Sequence, residues 1–316
     1  MKVAFFDQLK NIELQRQPGV RYKTQDKLTI ILFLLPGLLL FLTFVIFPIF
    51  QSVYYSLFDW KGFGPAVDFV GLDNYKRILT DGVFMRAIGN GLLIVALSLG
   101  LQLPFSLALA ILVGRDLPGR AFFRTVFFLP YVLSEVITAV MWMALLNPDP
   151  ERGFINSLLI LFPGAQPQPW LGDTNTVLMS LFVVLTWKFF GFHMLLYLTG
   201  LQNIPSEVEE AARIDGANRT QLLAYITLPL LSDTIRTSVY LSVIGSLQQF
   251  ILVWIMTKGG PVNASEVMST YMYRFGFIRF WLGYGSAVAI VMFLICLIFS
   301  LVYQRLSPQR DYIGGY

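Results

Sequence analysis

Six stretches of this chain are apolar for about twenty residues each, and short polar segments separate them. They cover residues 28–50, 88–113, 125–146, 176–198, 228–256 and 285–303. A bilayer core of about 30 Å is crossed by about 20 residues of α-helix, so the pattern predicts six membrane-spanning helices. Pro36, Pro48, Pro104 and Pro130 fall inside these stretches. Each removes one backbone donor and predicts a kink, tolerable where neighbouring helices or hydroxyls satisfy the freed carbonyls.

The polar interruption at 205–229 carries the most local signal. Pro205 and Ser206 mark a helix start, and Glu209 lies three residues beyond Ser206, the spacing of a reciprocal capping box. Glu207, Glu209 and Glu210 then lie at the positive end of that helix. Gly216, after Asp215, suits a left-handed C-terminal turn, so a second short helix is expected from about Asn218. Ala211 and Asp215 are four residues apart, on one face with little side-chain bulk, open to another chain. The other interruptions read as loops. Residues 58–86 are rich in turn formers; 147–175 hold five prolines around one amphipathic turn at 155–162; 257–281 are rich in glycine and aromatic residues.

Composition strengthens the membrane reading. Hydrophobic residues make up 56% of the 316 and charged residues 13%, where soluble domains carry about a quarter. A net charge of +4, dispersed along the chain, argues against a nucleic-acid partner. The single cysteine, Cys296, lies in an apolar run and has no internal disulfide partner. The first apolar run is longer than a signal-peptide core and lacks a small-residue cleavage site, so no cleavable signal is expected. With the N-terminus inside, the inner segments hold thirteen lysines and arginines and the outer segments eight. This bias places both termini and the 205–229 loop in the cytoplasm. Residues 1–27 and 307–316 are then cytoplasmic tails around a membrane domain at 28–306.

Few residues offer chemistry. One histidine, His193, and no HExxH or cysteine cluster leave metal hydrolysis and a Cys-His nucleophile without ingredients, so no catalytic or metal residue is assigned. Residues 114–120 have the glycine spacing of a phosphate loop, but Arg120 and Ala121 stand where Lys and Ser or Thr are required, so ATP must be hydrolysed elsewhere. Glu135 and Lys188 lie within predicted spans, where a charge costs about 2.5–3.5 kcal/mol. For Glu135 a structural pairing is expected ahead of a substrate or gating contact, and for Lys188 either a cavity or a partner. In the fifth span Ser242, Ser246 and Gln249 occur at spacings of four and three, giving one narrow polar stripe with Gly245 beside it. Phe189 and Phe192 on the fourth span offer an apolar platform. Helix packing through small residues explains the same stripe. A solute path explains the long, amide-bearing Gln249 as well.

The pattern Glu210-Ala-Ala, then Asp215-Gly-Ala, then Ile226-x-Leu-Pro229 resembles the cytoplasmic coupling loop of permease subunits in binding-protein-dependent ABC importers. Phe-Val-Gly-Leu-Asp-Asn-Tyr75 resembles the external lead-in of sugar permeases, and Thr257-Lys-Gly-Gly-Pro261 with 270–277 is similar to their last external loop. The resemblance, to the maltose-type sugar permeases, runs from Pro36 to about Tyr303. It implies an all-α, six-helix permease core that imports a sugar across the bacterial inner membrane. It also implies a second permease, two ATPase subunits that bind ATP and Mg, an external solute-binding protein, and no cofactor on this chain. Glu210, Ala211, Ala212, Asp215, Gly216 and Ala217 become coupling residues, and Lys188, Phe189, Phe192, Ser242, Gly245, Ser246 and Gln249 candidates for the sugar path. Serine and glutamine stand where such permeases often carry asparagine, which leaves the sugar open. A receptor without transport, or a membrane enzyme using Glu135, His193 and Lys188, also fits the composition. The coupling pattern favours transport over both.

Overall fold

The computed structural model describes residues 24–114 and 119–307, with side chains from residue 29 onward. The expected N-terminal tail up to residue 23, most of the 114–120 turn and the tail beyond 307 lie outside the described residues. Helix is the only regular secondary structure among the described residues, whose single strand-like feature is one bridge between Phe58 and Phe69. The chain divides into two units at Ser52/Val53.

The first unit contains α1 (Thr24–Phe41), a π-helical turn at Leu42–Ile46, and the start of α2 (Phe47–Tyr55). Its side chains are apolar all round and exposed, Phe33 and Phe44 to 80% and 73%, which is stable only in an apolar solvent.

The second unit continues with α3 (Asp73–Thr80), α4 (Gly82–Leu97), a π turn at Ser98–Gln102 and α5 (Leu103–Gly114). After α6 (Arg120–Val132), α7 (Glu135–Leu145) and α8 (Phe154–Leu159) comes the central helix α9 (Val177–Gln202). Its neighbours in sequence are α10 (Ser206–Ile214), α11 (Arg219–Leu222), a π turn at Leu223–Thr227 and α12 (Leu228–Leu230). The last elements are α13 (Ser232–Leu247), α14 (Ile251–Met256), α15 (Met268–Tyr273), a π turn at Arg274–Ile278 and α16 (Leu282–Leu306). Five helical stretches are long and apolar enough to cross a membrane, and α6 with α7 makes a sixth, bent span.

Three of the π turns share one cause. Those at Leu42–Ile46, Ser98–Gln102 and Leu223–Thr227 each end two residues before a proline, Pro48, Pro104 or Pro229. A proline has no N–H, and its ring pushes away the carbonyl four residues back. The amide just before the proline reaches one residue further instead: Phe47 to Leu42, Leu103 to Ser98 and Leu228 to Leu223. The widened turn keeps the helix continuous and rotates the segment beyond it.

Two predicted spans are not single helices. Residues 125–146 divide at Leu133 and Ser134, both extended, and the two halves meet at 97°. Pro130 removes a helical donor just before the break. Residues 228–256 break after Leu230 and again at Gln248–Phe250. Gln249 therefore does not continue the helical stripe of Ser242 and Ser246.

The buried helix α9 organises the second unit, packing against α5, α6 and α13. Leu181 and Leu185 belong to an apolar cluster with Ile94, Ala139 and Leu252, while Met194 and Tyr197 join Ala110, Val113 and Leu231. Gly191 lets α6 come this close, since a Cβ there would lie 2.0 Å from the Phe127 carbonyl oxygen.

Candidate functional site

A cavity of about 220 Å³ opens between α4, α9 and α13. Ser242, Gly245 and Ser246 enter it from α13, Phe189 and Phe192 from α9, and Gln249 from the break after α13. Six of the seven path candidates therefore share one wall system. A Cβ on Gly245 would meet nothing within 4 Å, so this glycine leaves open space. Gln249, helix broken, is held by its backbone carbonyl, which accepts from Ser269 of α15. Seven further liners were not singled out for this role from sequence, among them Ile94, Ser98, Gln102, Tyr131 and His193. Ser98 and Gln102 sit on the π turn before Pro104, and the Ser98 hydroxyl lies 3.4 Å from that of Ser246. Tyr131 stacks on Phe192 at 5.0 Å between centroids, extending the aromatic platform. A polar residue every fourth position at Ser98, Gln102 and Ser106 in an apolar span was the available signal.

Lys188, the seventh candidate, does not line the cavity. It is 3% exposed, and its ammonium donates to the carbonyls of Pro130, at 3.0 Å, Tyr131, at 2.9 Å, and Leu133. These belong to the C-terminal end of α6, where helix carbonyls lack partners and a cation is favoured. All three ammonium protons are used. Glu135 occupies the first turn of α7, the complementary position for an anion, and attracts Lys188 without a direct ion pair among the described contacts. The two charges thus seat the broken third span, and of the two expectations for Lys188, cavity or partner, the partner is the one found, which takes Lys188 off the cavity wall. His193 pairs with Ser238 rather than with Glu135 or Lys188 among the described contacts. No group of three metal-ligating side chains comes together among the described residues.

The loop between the fourth and fifth spans is a pair of short helices with well-formed ends. Gly216 has φ +87°, Ala217 N–H donates to Ala212 O at 2.9 Å, and Gly216 N–H donates to Arg213 O at 3.1 Å. This double bond pattern closes α10 on a left-handed glycine. α11 then opens with a reciprocal cap in which Gln221 N–H donates to Asn218 Oδ1 and Asn218 N–H to Gln221 Oε1, both at 2.9 Å. The capping box expected at Ser206 and Glu209 does not form. The extended Pro205 is the cap residue, so Ser206 is already helical, and Glu209 pairs forward with Arg213 at 3.3 Å. Glu210, Ala211, Asp215 and Gly216 are exposed and Ala217 half-buried. Ala212 is 8% exposed and turns inward, away from the open face that carries Ala211 and Asp215. Two large apolar side chains missed from sequence, Ile214 at 86% and Tyr225 at 77% exposure, stand out beside them.

On the opposite side, the loop between the fifth and sixth spans is pinned from within. Glu266 is fully buried, 2.6 Å from Arg274, and accepts from the Thr270 hydroxyl. Burial pushes its carboxyl above the usual carboxylate range, opposed by the Thr270 hydrogen bond and the Arg274 charge. Asn90 of α4 donates to the carbonyls of Ala264 and Glu266, and Arg86 to that of Val262. Arg86, Asn90, Ile94 and Ser98 recur every fourth residue, so one face of the second span holds this loop at one end and lines the cavity at the other. In the first loop, Asn74 of the Gly-Leu-Asp-Asn-Tyr stretch donates to the carbonyls of Ser56 and Phe58, a structural clasp.

Residues 102–312 match the family described as binding-protein-dependent transport system inner membrane component. A probable ABC transporter permease of Bacillus subtilis, YurN, is 39% identical over 89% of this chain and 96% of its own length. The diacetylchitobiose uptake permease NgcF of Streptomyces coelicolor is 31% identical over 90% and 84%. The trehalose/maltose permease MalF of Thermococcus litoralis is 31% identical over 88% and 93%. A solved bacterial transporter for import of the acidic polysaccharide alginate superposes with TM-score 0.79 at 25% identity, over 89% of this chain and 96% of the other. With the family matched over most of its length, its relatives permeases and its helices those of a solved importer, this chain belongs to the inner-membrane permease components of binding-protein-dependent ABC transport systems.

Proposed function

We propose that this chain is a non-catalytic permease subunit that passes a neutral saccharide through the cavity between α4, α9 and α13. ATP and Mg act on two partner ATPase subunits, a second permease completes the path, and an extracytoplasmic binding protein delivers the sugar. The observation that carries the reading is the cavity lining. Hydroxyls and amides from Ser98, Gln102, Ser242, Ser246 and Gln249 face the aromatic side chains of Tyr131, Phe189 and Phe192, and no Asp, Glu, Lys or Arg lines the space among the described residues. Amides and hydroxyls give and accept hydrogen bonds as sugar hydroxyls require, and ring faces take the apolar face of a sugar. The solved alginate importer handles an acidic polymer; a lining without cations suits an uncharged one.

Docking of the ATPases falls to α10 and α11. Their exposed residues include Glu210, Ala211, Asp215 and the projecting Ile214, and the π turn after them adds the exposed Tyr225, apolar side chains of the kind that anchor an interface. This reading sets both termini and that loop in the cytoplasm of an inner membrane.

Uptake by the assembled system, supplied with its binding protein, tests the substrate class. Maltose, trehalose and diacetylchitobiose are compared with an alginate oligosaccharide. Transport of a neutral sugar with stimulated ATP hydrolysis is expected; transport of the acidic oligosaccharide alone, or binding without transport, contradicts the reading. Orientation is read separately. Gln168→Cys is expected to react with an impermeant maleimide from outside and Gln221→Cys only after the membrane is opened; the reverse pattern inverts the topology.

A further inference from the structure

A second cavity, of about 420 Å³, lies between the first two turns of α13 and the end of α16, and shares no lining residue with the first. α13 lines it with Asp233, Arg236, Thr237 and Tyr240. α16 contributes Tyr303, Gln304 and Ser307. Spacings of three and four residues put each set on one face of its helix. The two faces meet at their deep end, where the Tyr240 hydroxyl lies 3.0 Å from that of Ser300 and the Tyr240 ring stacks on Phe299. One turn further out, Tyr303 donates to the Arg236 carbonyl at 2.8 Å. The result is a polar wedge closed towards the middle of both helices.

Both helices are long and apolar enough to cross a membrane, and the wedge occupies an end of each. A 25-residue helix such as α16 is about 37 Å long, against about 30 Å for a bilayer core, so its last turn reaches the headgroup layer. On the opposite flank of α16, Ile298, Leu301 and Val302 are exposed apolar side chains suited to acyl chains.

The charges say which head fits. Asp233 and Arg236 are paired at 3.0 Å, with 42% and 30% of their side chains exposed, and they are the only charged residues among the described liners. A purely anionic head is drawn to Arg236 and repelled by Asp233 beside it. A head that carries both a phosphate and an ammonium can set each next to its opposite, so that four charges alternate in sign. A primary ammonium also has three protons to donate, for which the Asp233 carboxylate and the Tyr303 and Gln304 oxygens are acceptors, and tyrosine rings attract its charge.

We propose that this wedge is a site for the phosphoethanolamine head of a membrane phospholipid, with the ammonium at Asp233, the phosphate at Arg236 and the acyl chains along α16. It does not depend on the sugar path.

The assembled transporter, purified in detergent and depleted of lipid, is titrated with phosphatidylethanolamine, phosphatidylcholine and phosphatidylglycerol of identical chains, and bound lipid is read by native mass spectrometry. At its tightest site phosphatidylethanolamine is expected to bind at least about tenfold more strongly than the others, the worth of a hydrogen bond to a charged group. Phosphatidylcholine has no ammonium proton for Asp233, and phosphatidylglycerol has no ammonium. Asp233→Asn keeps the shape and removes the negative charge beside Arg236, so the order is expected to invert in favour of phosphatidylglycerol. Thr237→Phe fills the wedge with an apolar ring and is expected to abolish the tightest phosphatidylethanolamine site. Equal binding of the three lipids, an unchanged order in Asp233→Asn, or a tightest site that survives Thr237→Phe overturns the proposal. Soluble glycerophosphoethanolamine at the same concentration is expected to leave the lipid in place; displacement would assign the site to a soluble zwitterion and overturn the membrane assignment.

Discussion

A lysine at the centre of a membrane helix must find partners for three protons and one charge. Lys188 finds them at the open end of α6, so its removal is expected to act on stability. Lys188→Met leaves the Pro130, Tyr131 and Leu133 carbonyls without this donor in an apolar setting, at about 1–3 kcal/mol for each that stays unsatisfied. The thermal midpoint of the purified complex is expected to fall by several degrees, with reduced yield from the membrane. A variant that melts normally but transports with an altered KM would return Lys188 to the solute path. The charge was plain in the sequence, but its destination was not, because the carbonyls that receive it come from a break 55 residues earlier. His193 shows the same limit: a lone histidine in an apolar run points nowhere until Ser238, 45 residues on, packs behind it.

Elements were legible where a local rule decides them. Gly216 and Asn218 read as the end of one short helix and the start of the next, and the backbone takes that form through a left-handed glycine and a reciprocal cap. Ser206 and Glu209 have a capping spacing too, yet Pro205 takes the cap position first. The prolines foretold irregular helices, but whether a proline produces a π turn, as before Pro104, or a 97° break, as after Pro130, depends on which neighbours receive the freed carbonyls. The fifth span looked continuous because no proline falls between Leu230 and Met256, and its break at Gln249 depends on Ser269 from a later helix. At this scale Gly216→Val is expected to cost about 1–2 kcal/mol in the left-handed region, and Asn218→Ala about 1 kcal/mol through the lost cap. Both should lower sugar-stimulated ATP hydrolysis while the protein still reaches the membrane. Wild-type hydrolysis in both variants would remove the α10–α11 pair from the coupling route.

For the molecule as a whole, apolar run lengths were enough to give a multi-pass helical membrane protein, since bilayer thickness fixes how many residues a span needs, and the resemblance of the 210–229 loop made it a permease. The cavity was half legible. Ser242, Ser246, Phe189 and Phe192 emerge from polar and aromatic spacing on single helices, whereas Ser98, Gln102 and Tyr131 arrive from spans bent by prolines. The central claim is that this cavity carries the solute, and the double variant Ser246→Val with Gln249→Leu tests it most directly. Both changes remove hydrogen-bonding groups from the wall, Gln249→Leu at nearly constant volume and Ser246→Val with one added methyl. Uptake of the neutral sugar by the assembled system is expected to fall severalfold, with the ATPase subunits still copurifying in wild-type amounts. Unchanged uptake in that double variant would contradict the account and make the polar wall a packing surface.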